Sequence, residues 1–246
     1  MNSLKKTTNF WSNLDQINER AKVAYSKEAA EHYRQCDIRD IESPVSKEVI
    51  SNLRQISHSF TNKINVLDVG CGSGRFFHAL HHVDELTGLD ISGNMLAVAA
   101  NPIKANELDI NNISLIEGDC FSIELPKNNY DFIYSIGVFA HPAPFDVKVV
   151  NKLYNLLAPG GKLFITAADG DDPSYQTMFK KSKKRLFLES FLPYMGEAAS
   201  EYFERRWEVF FKNEEELSDI MSSSLFERFF IWKMVNRFRA IEAYKY

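Results

Sequence analysis

From Ile64 onward the chain alternates short apolar runs with helix-length segments, and this texture narrows the fold more than any other feature of the sequence. The runs read INVLDVG, ELTGLDI, ISLIEGD, YDFIYSI and KLFITAA. Apolar runs of this length, without strict polar alternation, suit strands covered on both faces, as in a parallel sheet flanked by helices. Five in succession imply repeated βα units and hence a mainly parallel, doubly wound sheet.

The flanking segments lack that texture. Residues 1–60 read as polar helices forming an N-terminal cap, with Val49, Ile50, Leu53 and Ile56 at three- and four-residue spacing. Pro44 is expected near the start of the last of these helices, where its missing N–H costs nothing. Regularity lapses over residues 169–211, which read as an insertion or lid. Asn213 then stands where it caps a helix beginning EEELSDIM, with Glu216 placed to complete a capping box. FERFFIWKMV and RFRAIEAYKY, joined around Asn236, read as a closing antiparallel hairpin.

With 246 residues, the chain suffices for one generous α/β domain with a modest insertion, and a second full domain is not expected. The expected division is a helical cap over 1–60, a binding core over 64–168, the insertion over 169–211, and a last helix with closing strands over 212–246. The composition, 45% hydrophobic and 25% charged, is that of a globular protein. A formal net charge of −4 disfavours a nucleic-acid backbone as the main partner, since such proteins present excess Lys and Arg to phosphates. Cys36, Cys71 and Cys120 have no CxxC spacing, so neither a metal site nor a disulfide framework is expected. The opening MNSLKKTTNFWSNLDQINER has no uninterrupted apolar stretch, and no run approaches the roughly 18 apolar residues of a membrane span. A cytoplasmic protein without a membrane partner is the expectation; the oligomeric state is left open.

The first run passes straight into Gly70-Cys71-Gly72-Ser73-Gly74, expected to lead into a helix. Alternating glycines let backbone approach a ligand closely, because glycine lacks a Cβ and accepts positive φ. Such a turn also occurs as a plain strand-to-helix connection. Asp90 ends the second run about 20 positions after Gly70, the spacing at which an acidic side chain meets the ribose of a bound nucleotide. The turn reads GxGxG where a nicotinamide dinucleotide site reads GxGxxG, and it carries Asp68 at the strand end. A carboxylate there sits poorly beside a pyrophosphate and well beside an ammonium group.

At this point the sequence resembles the class I S-adenosylmethionine-dependent methyltransferase family. VLDVGCGSGRF is similar to the family's first motif, GLDIS to the second, EGDCFSIELP to the third and YDFIYSIGVFAHP to the fourth, and LLAPGGKLFIT to the segment entering the fifth strand. SSSLF stands where a Gly-Phe pair is often found. The resemblance implies a Rossmann-like methyltransferase fold, α/β and doubly wound: a seven-stranded, mainly parallel sheet with a C-terminal antiparallel hairpin, under an N-terminal helical cover and an inserted lid. It implies S-adenosylmethionine as cofactor, S-adenosylhomocysteine as product, no metal, and a small-molecule acceptor methylated on oxygen or nitrogen. Asp68, Gly70, Cys71, Gly72 and Gly74 then frame the methionine moiety, Asp90 binds the ribose, and Ile91 and Met95 cover the adenine. Asp119 accepts from the adenine amine, with Cys120 and Phe121 along the ring edge. Ser135 and Ile136 offer backbone groups to the methionine part, and Tyr25 and Tyr33 fold over it. Phe139 and His141 stand near the acceptor, His141 as the candidate base, since an imidazole takes a proton near neutral pH. His141 packing beside Pro142 or binding substrate is the plainer alternative. Two other functions share these residues: an RNA methyltransferase, whose basic surface only residues 180–185 hint at, and a protein that binds the cofactor without turnover.

Overall fold

The apolar runs pair into one seven-stranded sheet. In the computed structural model, which describes residues 25–140, 143–173, 212–235 and 237–246, five strands lie parallel: β1 (Ile64–Val69), β2 (Val83–Asp90), β3 (Ile110–Glu117), β4 (Tyr130–Ser135) and β5 (Leu157–Ala168). Strands β6 (Arg228–Lys233) and β7 (Phe238–Tyr244) form the closing hairpin, and β7 adds antiparallel to β5. The order across the sheet is β3-β2-β1-β4-β5-β7-β6. Central β1 and β4 are buried at nearly every position, whereas the edge strands β3 and β6 leave residues such as Ile113 and Phe230 exposed. This gradient is what a sheet covered on both faces produces, with edges relieved by Asn, Arg and Lys.

Helices α1 (Lys27–Asp40), α2 (Pro44–His58), α3 (Gly93–Ala99), α4 (Val147–Leu156) and α5 (Glu214–Ser222) cover the sheet. Each begins at a side-chain cap: Ser26, Ser43, Ser92, Asp146 and Asn213 accept from backbone N–H groups of the first turn. Pro44 occupies the first turn of α2, and Asn213 with Glu216 closes the expected capping box. One face of the sheet packs on α4 and α5 through Val149, Val150, Leu153, Leu217 and Met221. The other packs on α2 and α3 through Val49, Leu53, Ile56, Leu96 and Ala99. α1 rests on α3, where Arg34 donates to the Val98 carbonyl at 3.3 Å.

Two connections differ from the sequence expectation. No α-helix follows the glycine turn: residues 77–79 make a single 3-10 turn, Leu80 is already extended, and His82 is left-handed with φ 59°. The few residues left before β2 cannot repay the nucleation of an α-helix, and Phe77, His78, Ala79 and Leu80 are all buried in succession without helical periodicity. The β3–β4 connection, residues 118–129, likewise has no helix. Most of the expected insertion and the opening 24 residues lie outside the described residues. Among the described residues no helix is long and apolar enough to cross a membrane.

Candidate functional site

From β1 the chain crosses to β2 on one side, and from β4 to β5 on the other, so the strand order reverses between β1 and β4. Crevices in open α/β sheets form outside the carboxyl ends of strands at such a reversal. A cavity of about 950 Å³ opens there. Its floor is the glycine turn, in which Gly70, Gly72 and Gly74 all have positive φ (74°, 55° and 71°). The Gly70 and Cys71 N–H groups donate to the Leu89 carbonyl at 2.7 and 3.0 Å, which ties the turn to the end of β2. A Cβ at Gly70 would lie 2.3 Å from Val138 Cγ2, so neither backbone conformation nor space admits a side chain there.

The three carboxylates expected at the site line this cavity in different states. Asp90 is already engaged: Oδ2 accepts from Gly72 N–H at 2.8 Å and Oδ1 from Ser92 N–H at 3.0 Å. Burial nevertheless raises its carboxyl above the ordinary range, because desolvation outweighs those bonds. Asp119 organises its own loop, with Oδ1 accepting from Phe121 N–H and Oδ2 from the Ser122 hydroxyl, both at 3.0 Å. Asp68 is different. It is 4% exposed and lines the cavity, yet no cation pairs with it among the described residues. Its polar neighbour is the buried Tyr134 hydroxyl, whose proximity favours the carboxylate but falls short of hydrogen-bond geometry. Burial dominates and pushes the Asp68 carboxyl up to about 8. An isolated buried carboxylate is costly, so the group stays protonated near neutral pH, and a cation placed beside it would favour its ionised form. The two neighbouring thiols are poor nucleophiles: burial raises Cys120 to about 12 and Cys71 higher still.

On the far wall the Tyr25 and Tyr33 rings meet at 5.3 Å between centroids, and the Tyr25 carbonyl accepts from Asn94 Nδ2 at 2.9 Å. Beside them lies a polar hub that sequence reasoning did not find. Arg75 donates to Asp37 Oδ1 at 2.9 Å and to the Asp40 carbonyl at 3.1 Å, and the Ser73 hydroxyl donates to Asp37. The hub fastens α1 onto the glycine turn across more than 30 residues of sequence, a pairing that no local pattern records. The wall under the hairpin is formed by Met234, Val235, Arg237 and Phe238, joined there by Thr166, whose hydroxyl oxygen accepts from Gly137 N–H at 2.8 Å. Val235 N–H donates to Glu48 Oε2 at 2.7 Å, which anchors the hairpin turn on α2.

Of the residues expected at the site, Tyr25, Tyr33, Asp68, Gly70, Cys71, Gly72, Asp90, Ile91, Met95, Asp119, Cys120, Phe121 and Ile136 line this one cavity. Gly74 shapes the turn from behind, where a Cβ would meet the Phe77 ring at 2.8 Å. Ser135 is buried behind the wall and its hydroxyl donates to the Val69 carbonyl at 2.7 Å. Phe139 is a correction. The chain turns at Gly137 (φ 73°), Val138 takes the cavity side over Gly70, and Phe139 points the opposite way into the core between Phe121 and Phe145. His141 lies outside the described residues. No group of metal-ligating side chains occurs among the described residues.

Residues 60–210 match the model of a family described as a methyltransferase domain. The chain belongs to that family. It is 30% identical over 151 residues to demethylmenaquinone methyltransferases of Listeria welshimeri and Listeria monocytogenes, a match covering 58% of this chain and 60% of those proteins. The chain thus spans about three-fifths of the length of these curated relatives. Solved methyltransferases share its fold. Magnesium protoporphyrin IX methyltransferase of Synechocystis, with bound SAH, superposes with a TM-score of 0.63 at 13% identity, covering 94% of this chain and 100% of the other. Phosphoethanolamine N-methyltransferase 2 of Haemonchus contortus, in complex with S-adenosyl-L-methionine, gives 0.61 at 18% identity, covering 91% and 58%. The class I methyltransferase fold expected from the motifs is the fold of this family member.

Proposed function

We propose that this methyltransferase-family protein binds S-adenosylmethionine in the cavity at the β1–β4 reversal and transfers its methyl group to an oxygen or nitrogen of a small-molecule acceptor. The observation that carries the reading is Asp68, a buried carboxylate without a cationic partner among the described residues, facing a floor of left-handed glycines. The ligand's ammonium would supply a cation beside that carboxylate, and the glycine floor leaves room for its backbone-like methionine part. A dinucleotide fits worse, since its pyrophosphate would meet that carboxylate.

In this reading Asp90 presents its remaining lone pairs to the ribose hydroxyls while its bonds to Gly72 and Ser92 hold it in place. Asp119, Cys120 and Phe121 wall the adenine, with Ile91 and Met95 against its faces. The bound sulfonium supplies an electrophilic methyl group, so the protein's remaining work is to orient the acceptor and exclude water. Val138, Met234, Val235 and Phe238 offer apolar surface for an acceptor with a sizeable apolar body, with Arg237 and the buried Thr166 hydroxyl as polar groups on the same wall. The demethylmenaquinone in the names of the relatives agrees with that wall. We assign His141, on the strength of the fourth motif, the removal of a proton from acceptors that must lose one.

The test is thermal unfolding with and without ligand. S-adenosylmethionine and S-adenosylhomocysteine are expected to raise the midpoint, since a ligand bound only to the folded state stabilises it, and NAD is expected to leave it unchanged. Equal stabilisation by NAD refutes the cofactor assignment.

A further inference from the structure

We propose that Lys152 is a positioning residue for the base end of the adenosyl ligand, acting through the loop that walls that end of the cavity. The inference rests on the cofactor reading above. Residues 118–129 join β3 to β4 with neither helix nor strand, yet Asp119, Cys120 and Phe121 of this loop line the cavity. Bonds within the loop close one tight turn: Ser122 and Ile123 N–H groups donate to the Asp119 carbonyl at 3.2 and 2.8 Å, and the Asp119 carboxylate accepts from Phe121 and Ser122. Such bonds fix the shape of the turn. They do not fix where it stands relative to the sheet.

The loop's first residue is tied to β2, where Gly118 N–H donates to the Asp90 carbonyl at 2.9 Å, and its next turn is held by α4. Lys152 Nζ donates to the Phe121 carbonyl at 3.1 Å and to the Ile123 carbonyl at 2.6 Å. One ammonium carries three donors and so satisfies two carbonyls at once, and bonds from a charged donor are stronger than neutral ones. The helix that carries it is rigidly seated, with Val149, Val150, Leu153 and Leu156 buried in the core and Asp146 capping its start. The Phe121 ring adds an edge-on contact with Phe139, 6.5 Å between centroids. Lys152 thereby spans from a fixed helix to both sides of Ser122, and the Asp119 carboxylate, bonded to Phe121 N–H and the Ser122 hydroxyl, is held from that side by the same grip. At the methionine end of the cavity, Asp68 and the glycine turn are held by β1 and β2 instead.

The experiment is calorimetric titration of the full-length protein with three probes: S-adenosylhomocysteine, adenosine, and S-ribosylhomocysteine, which keeps the sugar and amino acid but lacks the base. Lys152→Met preserves the apolar stem and removes both bonds. We expect about tenfold weaker binding of S-adenosylhomocysteine and adenosine, the scale of one lost charge-assisted bond, with S-ribosylhomocysteine within about twofold of wild type. Lys152→Arg, which keeps a charged donor, is expected to recover to within about threefold. Unchanged adenosine affinity in Lys152→Met overturns the proposal, and so does an equal loss for all three probes, which marks a general structural role. Should Lys152→Met fail to fold, Lys152→Gln is read in the same way. A wild-type protein that binds none of the probes overturns the cofactor reading and this inference with it, whereas tight wild-type binding with an unaffected variant overturns the inference alone.

Discussion

The Asp68 carboxyl makes ligand binding a proton-releasing step, and the size of the effect follows from its surroundings. In the ligand-free protein burial holds this carboxyl at about 8, with the Tyr134 hydroxyl only partly offsetting it. At pH 7 the group is therefore about nine-tenths protonated, and an incoming ammonium requires it ionised. Binding of S-adenosylhomocysteine should release about 0.9 proton at pH 7, and affinity should rise about tenfold between pH 6 and pH 7 before levelling above pH 8. Titration calorimetry in paired buffers of different ionisation enthalpy reads both quantities. The same shift acts on stability with a definite sign. A carboxyl neutral in the folded state and ionised in the unfolded state holds more protons when folded, so stability of the free protein falls as pH rises from about 4 to about 8. Asp68→Asn should remove that slope, abolish the proton release, and bind the ligand weakly at every pH. Affinity that is flat from pH 6 to pH 8, with no proton exchanged, refutes the assignment of Asp68 to the ligand's ammonium.

Further predictions concern the rest of the site. Gly70→Ala places a methyl group 2.3 Å from Val138 in a left-handed conformation, and should lower stability by about 1–3 kcal/mol in chemical denaturation while abolishing measurable cofactor binding. Asp90→Ala removes the acceptor of Gly72 N–H as well as the ribose contact, and should weaken binding by at least about 1.5–3 kcal/mol; unchanged affinity shows the ribose to be elsewhere. His141→Ala should leave S-adenosylhomocysteine affinity intact and reduce turnover by about 10²–10⁴ with acceptors that must lose a proton, whereas wild-type turnover on such an acceptor makes it a packing residue.

The sheet was legible in the sequence because its central strands are buried on both faces and so write themselves as short, largely apolar runs. The capping box at Asn213 and Glu216 was legible for a related reason: both partners lie within one turn. Features that depend on distant pairing were not. Arg75 was visible beside the third glycine, but its partners Asp37 and Asp40 sit on a helix whose docking no local period encodes. Lys152 reads as an ordinary helical lysine until its reach to the Phe121 and Ile123 carbonyls is seen. Phe139 was misplaced because neighbouring residues of an extended segment face opposite ways, and only the turn at Gly137 decides that Val138 takes the cavity side. The missing helix after the glycine turn has the same origin, for burial there runs through four consecutive residues and leaves no period to read.

The central claim is methyl transfer itself, and it is tested by incubating the protein with methyl-labelled S-adenosylmethionine and a metabolite extract, followed by mass spectrometry. The account predicts label in a small molecule heavier by one methyl group, formed together with S-adenosylhomocysteine and lost in the Asp68→Asn and Asp90→Ala variants. Tight binding of the cofactor with label in no small molecule, or label appearing only in RNA, contradicts it.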